Sequence, residues 1–165
     1  MTASPKTEIT ATSDREIVIK RVVSAPRERV WEVWTNPRHV AQWWGPRGFS
    51  TTIETMDVRP GGVWKHVMRG PDGAEYPNHN VFQEVVKPER IVFTLGGARK
   101  GGGTEVRALS TWTFVEQDGK TEVTIRMVFE SKEKRDQVVK EYGAIEGGKQ
   151  TLGRLDEYLS SFAQK

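Results

Sequence analysis

The chain has 165 residues, 25 Lys and Arg against 22 Asp and Glu, and no cysteine. A single domain of that length buries roughly two thirds of the surface its unfolded chain exposes, enough for a core that encloses a cavity. The missing cysteines exclude disulfide frameworks, thiolate zinc sites, iron–sulfur clusters and cysteine nucleophiles, and a net charge of +3 with both signs interspersed is not the footprint of a nucleic-acid binder.

Residues 1–14 are rich in Thr and Ser and carry few strong apolar side chains, too few to offset their ordering entropy. They read as a flexible N-terminal arm ahead of a single domain over 15–165. The arm holds no apolar leader, and no later run approaches the roughly 18 apolar residues that span a bilayer, so a cytoplasmic protein with no membrane partner is expected.

From Arg15 to Ser24, Ile17 and Ile19 alternate with Val18 and Lys20, a strand pattern closed by Ala25-Pro26. Val30, Trp31, Val33 and Trp34 follow at helical spacing, with Pro26 placed for a first turn, which predicts a helix to about Thr35. Asn36-Pro37 starts a second short helix through His39 to Trp43, and Gly45-Pro46 ends it.

Between Phe49 and Glu130 the chain breaks into short segments punctuated by Pro60-Gly61-Gly62, Pro71-Asp72-Gly73, Lys87-Pro88-Glu89, Gly101-Gly102-Gly103 and Asp118-Gly119-Lys120. Such turn chemistry joins antiparallel neighbours, predicting strands near 50–59, 63–70, 75–86, 90–96, 105–117 and 121–130, about seven with the first. Parity then assigns an inward face: Trp64, His66 and Met68; Ile91, Phe93 and Leu95; Trp112 and Phe114; Val123, Ile125, Met127 and Phe129. The alternate positions are mostly polar and face water.

Charges from Lys132 to Glu141 are compatible with a helix, and Ile145, Gly148, Leu152, Leu155, Leu159 and Phe162 form the apolar stripe of a longer one. Glycines at 143, 147, 148 and 153 weaken that helix by about 1 kcal/mol each relative to Ala, predicting a kink or break near Gly147-Gly148 or a close approach to the sheet. The order is α+β: strand, two short helices, six antiparallel strands, long helix. One helix about 10 Å wide cannot fill the concave face of such a sheet, so a pocket is expected between them.

Six tryptophans favour a large aromatic core, and Trp31 and Trp34 read as core, with Trp43 anchoring its loop. Trp44, Trp64 and Trp112 stand at a helix exit or on the concave face, where they line a cavity. His66 lies on an apolar face and needs a partner such as Glu84, Tyr76 or Glu146, or else serves as the polar anchor for a ligand. His39, His66 and His79 with Glu75 or Glu84 lack paired metal-ligand spacing, so no metal is expected. The glycine-rich run 96–103 is not a phosphate loop and reads as a mobile connection whose Arg99 and Lys100 attract an anionic ligand end. No Ser-His-Asp order, nucleophile elbow, dinucleotide fingerprint or zinc-protease motif occurs, so no catalytic residue and no cofactor is assigned.

The run Trp43-Trp44-Gly45-Pro46-Arg47-Gly48-Phe49 resembles a signature of the activator of heat-shock-protein-ninety ATPase homologue family, within the START-like (SRPBCC, helix-grip) superfamily. Ala25-Pro26 with Val30-Trp31 and Trp34 agree with it, as do Asp57-Val58-Arg59-Pro60-Gly61-Gly62, Met68-Arg69-Gly70-Pro71-Asp72-Gly73, Pro88-Glu89-Arg90 and Phe93-Thr94. The similarity covers about 15–163. It departs at Tyr76-Pro77-Asn78-His79-Asn80, which is more polar, and at the basic glycine run. The resemblance implies a helix-grip fold, a curved sheet around a long C-terminal helix with a deep apolar cavity. It also implies binding rather than fixed catalysis, among relatives that include polyketide cyclases, lipid carriers and a co-chaperone.

The expected function is therefore binding of a hydrophobic or amphipathic small molecule, a lipid or polyketide, by Trp44, Trp64, Met68, Phe82, Trp112, Phe114, Met127 and Tyr142, with His66 for polar orientation. Two alternatives stay open: a cyclase- or hydrolase-like enzyme using His66, and an interaction module with a chaperone partner. A homodimer through a strand edge or the first two helices is equally open.

Overall fold

A computed structural model of the chain describes residues 8–10, 14–98 and 104–163. The first long strand, β2 (Glu16–Val23), leads into α1 (Arg27–Thr35) and α2 (Pro37–Trp43). Pro26 is the extended N-cap of α1, and Asn36 caps α2 by accepting the Arg38 N–H. Strands β3 (Ser50–Met56), β4 (Val63–Arg69), β5 (Glu75–Val86), β6 (Arg90–Ala98), β7 (Thr104–Gln117) and β8 (Lys120–Phe129) follow, then α3 (Lys132–Tyr142) and α4 (Ala144–Ala163).

The seven strands expected from the sequence all pair antiparallel, and a short one joins them. Glu8–Thr10 forms β1 against Val18–Lys20 of β2, so part of the segment read as a flexible arm extends the sheet edge. The order is β1-β2-β8-β7-β6-β5-β4-β3. The curved sheet packs α4 against β2; α1 contacts α4, β7 and β8, and α2 contacts α4 and β3. This is the helix-grip layout.

Parity holds on most strands: Trp64, Ile91, Phe93, Trp112, Phe114, Val123, Ile125 and Phe129 are buried in the core. They are met from the other side by Val30, Trp34, Val40 and Trp43 of the short helices and by Leu152, Leu155 and Leu159 of α4. Three register shifts interrupt the pattern, one of them between Ile53 and Thr55 in β3–β4 and two that bear on the site. Between Phe82 and Glu84 the β5–β6 register shifts, and between Leu95 and Gly96 the β6–β7 register shifts.

The break in the C-terminal helix falls earlier than expected. Gly143 ends α3 in the left-handed region, φ 58°, and α4 runs unbroken through Gly147 and Gly148. Those glycines serve close approach instead: a Cβ on Gly148 would stand 2.4 Å from Cδ1 of Ile19, so a bare backbone lets α4 sit on β2.

Candidate functional site

The concave face divides into a sealed end and an open end. At the sealed end the Trp34 ring lies 5.4–6.5 Å from those of Trp43, Trp44, Trp64, Phe82, Phe93 and Trp112, mostly edge-on. Edge-to-face contacts at such distances add to the area that each ring removes from water. The Trp43 indole N–H donates to the Val33 carbonyl, and Trp31 packs edge-on against Phe114 at 6.0 Å.

At the open end is a cavity of about 490 Å³ between sheet and helices. Met68, Leu95, Ala108, Met127 and Phe129 line it from the sheet, Pro46 and Phe49 from the loop after α2, and Val138 from α3. Glu75, Tyr76, Asn78 and Arg107 supply polar groups. Arg107 reaches the lining beside its neighbour Ala108 because the β7 ladder skips it at the bulge. Its guanidinium also lies where a Cβ on Gly97 would come within 2.8 Å, so glycine there makes room for it.

The expected site residues fall on both sides of this division. Met68 and Met127 line the cavity. Trp44, Trp64, Phe82, Trp112 and Phe114 belong to the packed cluster, each at most 9 % exposed. The Tyr142 side chain and residues 99–103, with Arg99 and Lys100, lie outside what is described.

His66 stands at the seam. It is 2 % exposed, its ring stacks on Trp64 at 4.6 Å, and Trp44 meets it edge-on at 6.1 Å. Along β4 its same-face neighbour is Met68, and across the ladder its partner is Asn78; both line the cavity. Neither ring nitrogen has a hydrogen-bond partner among the described residues. Burial pushes the imidazole down to about 3, so it is neutral at physiological pH.

None of the partners expected for His66 supplies a bond. The bulge before Glu84 carries it opposite Val92, and it pairs with Arg90. Glu146 pairs with Lys149 on α4, and Tyr76 packs on Phe49 at 5.9 Å.

One residue essential to the geometry gave no sequence signal. Arg154 of α4 donates through Nη1 to the carbonyls of Trp44, Gly45, Pro46 and Phe49 at 2.9–3.3 Å, and through Nη2 to Gln42. Arg47 returns the grip with two bonds to the Glu157 carboxylate at 2.9 and 3.0 Å, and its own N–H donates to Gln150. Those bonds hold the Glu157 carboxyl below its usual range. The Trp43–Phe49 run is thus bolted to the last helix, fixing the Pro46 and Phe49 wall of the cavity.

Comparison with known proteins agrees with this architecture. The family model described as Activator of Hsp90 ATPase homolog 1-like protein matches residues 24–160, and the chain belongs to that family, within the START-like (SRPBCC) superfamily. A crystal structure of a Mycobacterium smegmatis protein superposes with a TM-score of 0.85 at 28 % identity, over 96 % of this chain and 99 % of that one. A solution structure from Arthrobacter aurescens gives 0.84 at 28 %, over 94 % and 91 %. For a crystal structure from Nitrosomonas europaea, 0.80 at 24 % over 94 % and 100 % shows the shared fold. No curated protein matches the chain. No helix among the described residues is long and apolar enough to cross a membrane.

Proposed function

We propose that this protein binds a hydrophobic or amphipathic small molecule, of lipid or polyketide kind, in the cavity between sheet and helices. The observation that carries the reading is the cavity itself. Its volume of about 490 Å³ lies within the roughly 300–1,000 Å³ typical of small-molecule sites. Its lining is largely apolar, with Asn78, Glu75 and Arg107 among the few polar residues. Burying the ligand's apolar surface supplies the affinity, at about 25 cal/mol per Å², and the few polar groups set its orientation.

Met68 and Met127 contact the ligand in this reading, and their unbranched, polarisable side chains adapt to its outline. Trp44, Trp64, Phe82, Trp112 and Phe114 act behind them as the rigid wall, with His66 as the polar group at the seam.

The two alternatives draw less support. An imidazole held at about 3 with no carboxylate partner is a poor general base near neutral pH. A chaperone-docking face needs a continuous apolar patch. The exposed large apolar side chains described are Tyr76, Val106, Leu109 and Val115, and Thr111 and Thr113 interrupt the last two along β7.

The test is the melting temperature of the purified protein against fatty acids, sterols, flavonoids and aromatic polyketides. At 100 times the dissociation constant a ligand adds about 2.7 kcal/mol, and at about 2–4 °C per kcal/mol for a domain of this size that is a rise of roughly 5–11 °C. A dose-dependent rise for one chemical class is expected. No rise for any class, in folded protein free of copurified ligand, overturns the reading.

A further inference from the structure

We propose that the inner end of the cavity selects a neutral carbonyl or hydroxyl oxygen carried on an apolar ring compound, held by the His66 imidazole and the Asn80 side-chain amide. The inference rests on the cavity being a ligand site and names the chemistry of that ligand.

Buried polar groups without partners are rare in folded proteins, because each costs about 1–3 kcal/mol when left unmade. Here several gather on one patch of the sheet. Asn80 is 1 % exposed; its Oδ1 accepts the Gly96 N–H at 3.1 Å while its Nδ2 has no partner among the described residues. Trp64, opposite Asn80 in the ladder, has an unpartnered indole N–H. His66, two residues along, has two unpartnered nitrogens. The patch adjoins the cavity: Gly96, which Asn80 holds, lines it, as do Met68 and Asn78 beside His66.

The inventory of these groups chooses the ligand atom. A neutral imidazole offers one donor and one acceptor, the Asn80 amide two N–H donors and the indole one. Donors exceed acceptors, so the complementary atom is an oxygen with free lone pairs. A carboxylate is excluded at this end, since His66 is neutral and a buried anion needs a countercharge. The cation of the lining is Arg107, which pairs with Glu105 at 3.5 Å. An aromatic ring bearing the oxygen would extend the stack that His66 makes on Trp64.

The experiment compares fluorene, fluorenone and fluorene carboxylate as probes by titration calorimetry on the wild-type protein, on His66→Phe and on Asn80→Leu. NMR of the His66 ring nitrogens follows the fluorenone titration. Fluorenone is expected to bind about tenfold tighter than fluorene, the equivalent of one added hydrogen bond of about 1.4 kcal/mol. The carboxylate is expected to be the weaker of the two oxygenated probes. The preference should shrink to about twofold or less in either variant, and the imidazole nitrogens should shift with fluorenone and not with fluorene. Should a variant fail to fold, the wild-type preference and the nitrogen shifts decide.

Equal affinities for fluorene and fluorenone, or His66 nitrogens indifferent to fluorenone, overturn the polar subsite and leave the cavity reading standing. If none of the three probes binds, the polar subsite for a ring-borne oxygen falls, and the cavity reading is decided by the melting-temperature screen.

Discussion

The two ends of the concave face differ in what covers them. Over the sealed end lie α1, α2 and the middle of α4, whose Val30, Trp34, Val40, Leu152, Leu155 and Leu159 are buried. Over the open end lies α3, whose sequence from Lys132 to Tyr142 offers Val138 and Val139 amid charges. A helix with so little apolar surface cannot seal the sheet beneath it, and a cavity remains where apolar cover runs out. The same strands floor both ends, so the division into core and pocket is set by the helices.

That contrast breaks hardest at Trp34. Replacing it with Ala removes the ring that six others pack around, and urea unfolding should show a loss of about 3–5 kcal/mol. Met127→Ala at the open end, where the side chain already faces a cavity, should cost clearly less. Equal losses would erase the distinction.

Acid probes the seam between the ends. The folded imidazole of His66 sits at about 3 against 6.5 when unfolded. Below pH 6.5 the unfolded chain therefore takes up a proton that the folded chain refuses, and stability falls as pH falls until about pH 3. Each pH unit well inside that window costs about 1.4 kcal/mol, so going from pH 6.5, where the unfolded imidazole is already half protonated, to 4.5 costs roughly 2 kcal/mol from this residue. His66→Phe should flatten the pH dependence of urea unfolding by that amount.

Arg154 sharpens the comparison from the side of the cavity wall. Arg154→Met keeps the stem and removes the bonds to five carbonyls. A stability loss of about 1–3 kcal/mol is expected. Affinity for any compound found in the melting screen should drop with it, because Pro46 and Phe49 lose their anchor.

The smallest effect is at Gly148. Alanine there gains helix propensity of about 1 kcal/mol but crowds Ile19, for a net loss near 1 kcal/mol. Removing the crowding methyl with Ile19→Val should turn the same Gly148→Ala change into a gain, measured as a double-mutant cycle.

Much of this architecture was legible in the sequence. Turn residues and alternation placed the seven long strands within a few residues, Asn36 and Pro37 placed α2, and parity identified the inward face down to Met68, Met127 and Phe129. Parity says which way a side chain points and not what meets it, so inward-facing Trp64 and Trp112 could not be told from cavity lining until the helices were in place. Bulges carry no signal in alternation: one turned Glu84 away from His66, and another brought Arg107 to the cavity. The Arg154 clamp joins residues more than a hundred positions apart through backbone carbonyls, which no residue pattern announces.

The central claim is that ligand enters at the open end and leaves the aromatic cluster closed. The methionine methyls report on it directly: Met68 and Met127 line the cavity, while Met56 packs against the core away from the lining. In a methyl NMR titration with a compound that raises the melting temperature, the Met68 and Met127 signals should move together and saturate, with Met56 still. Saturable binding that leaves both lining methyls unmoved would contradict the account.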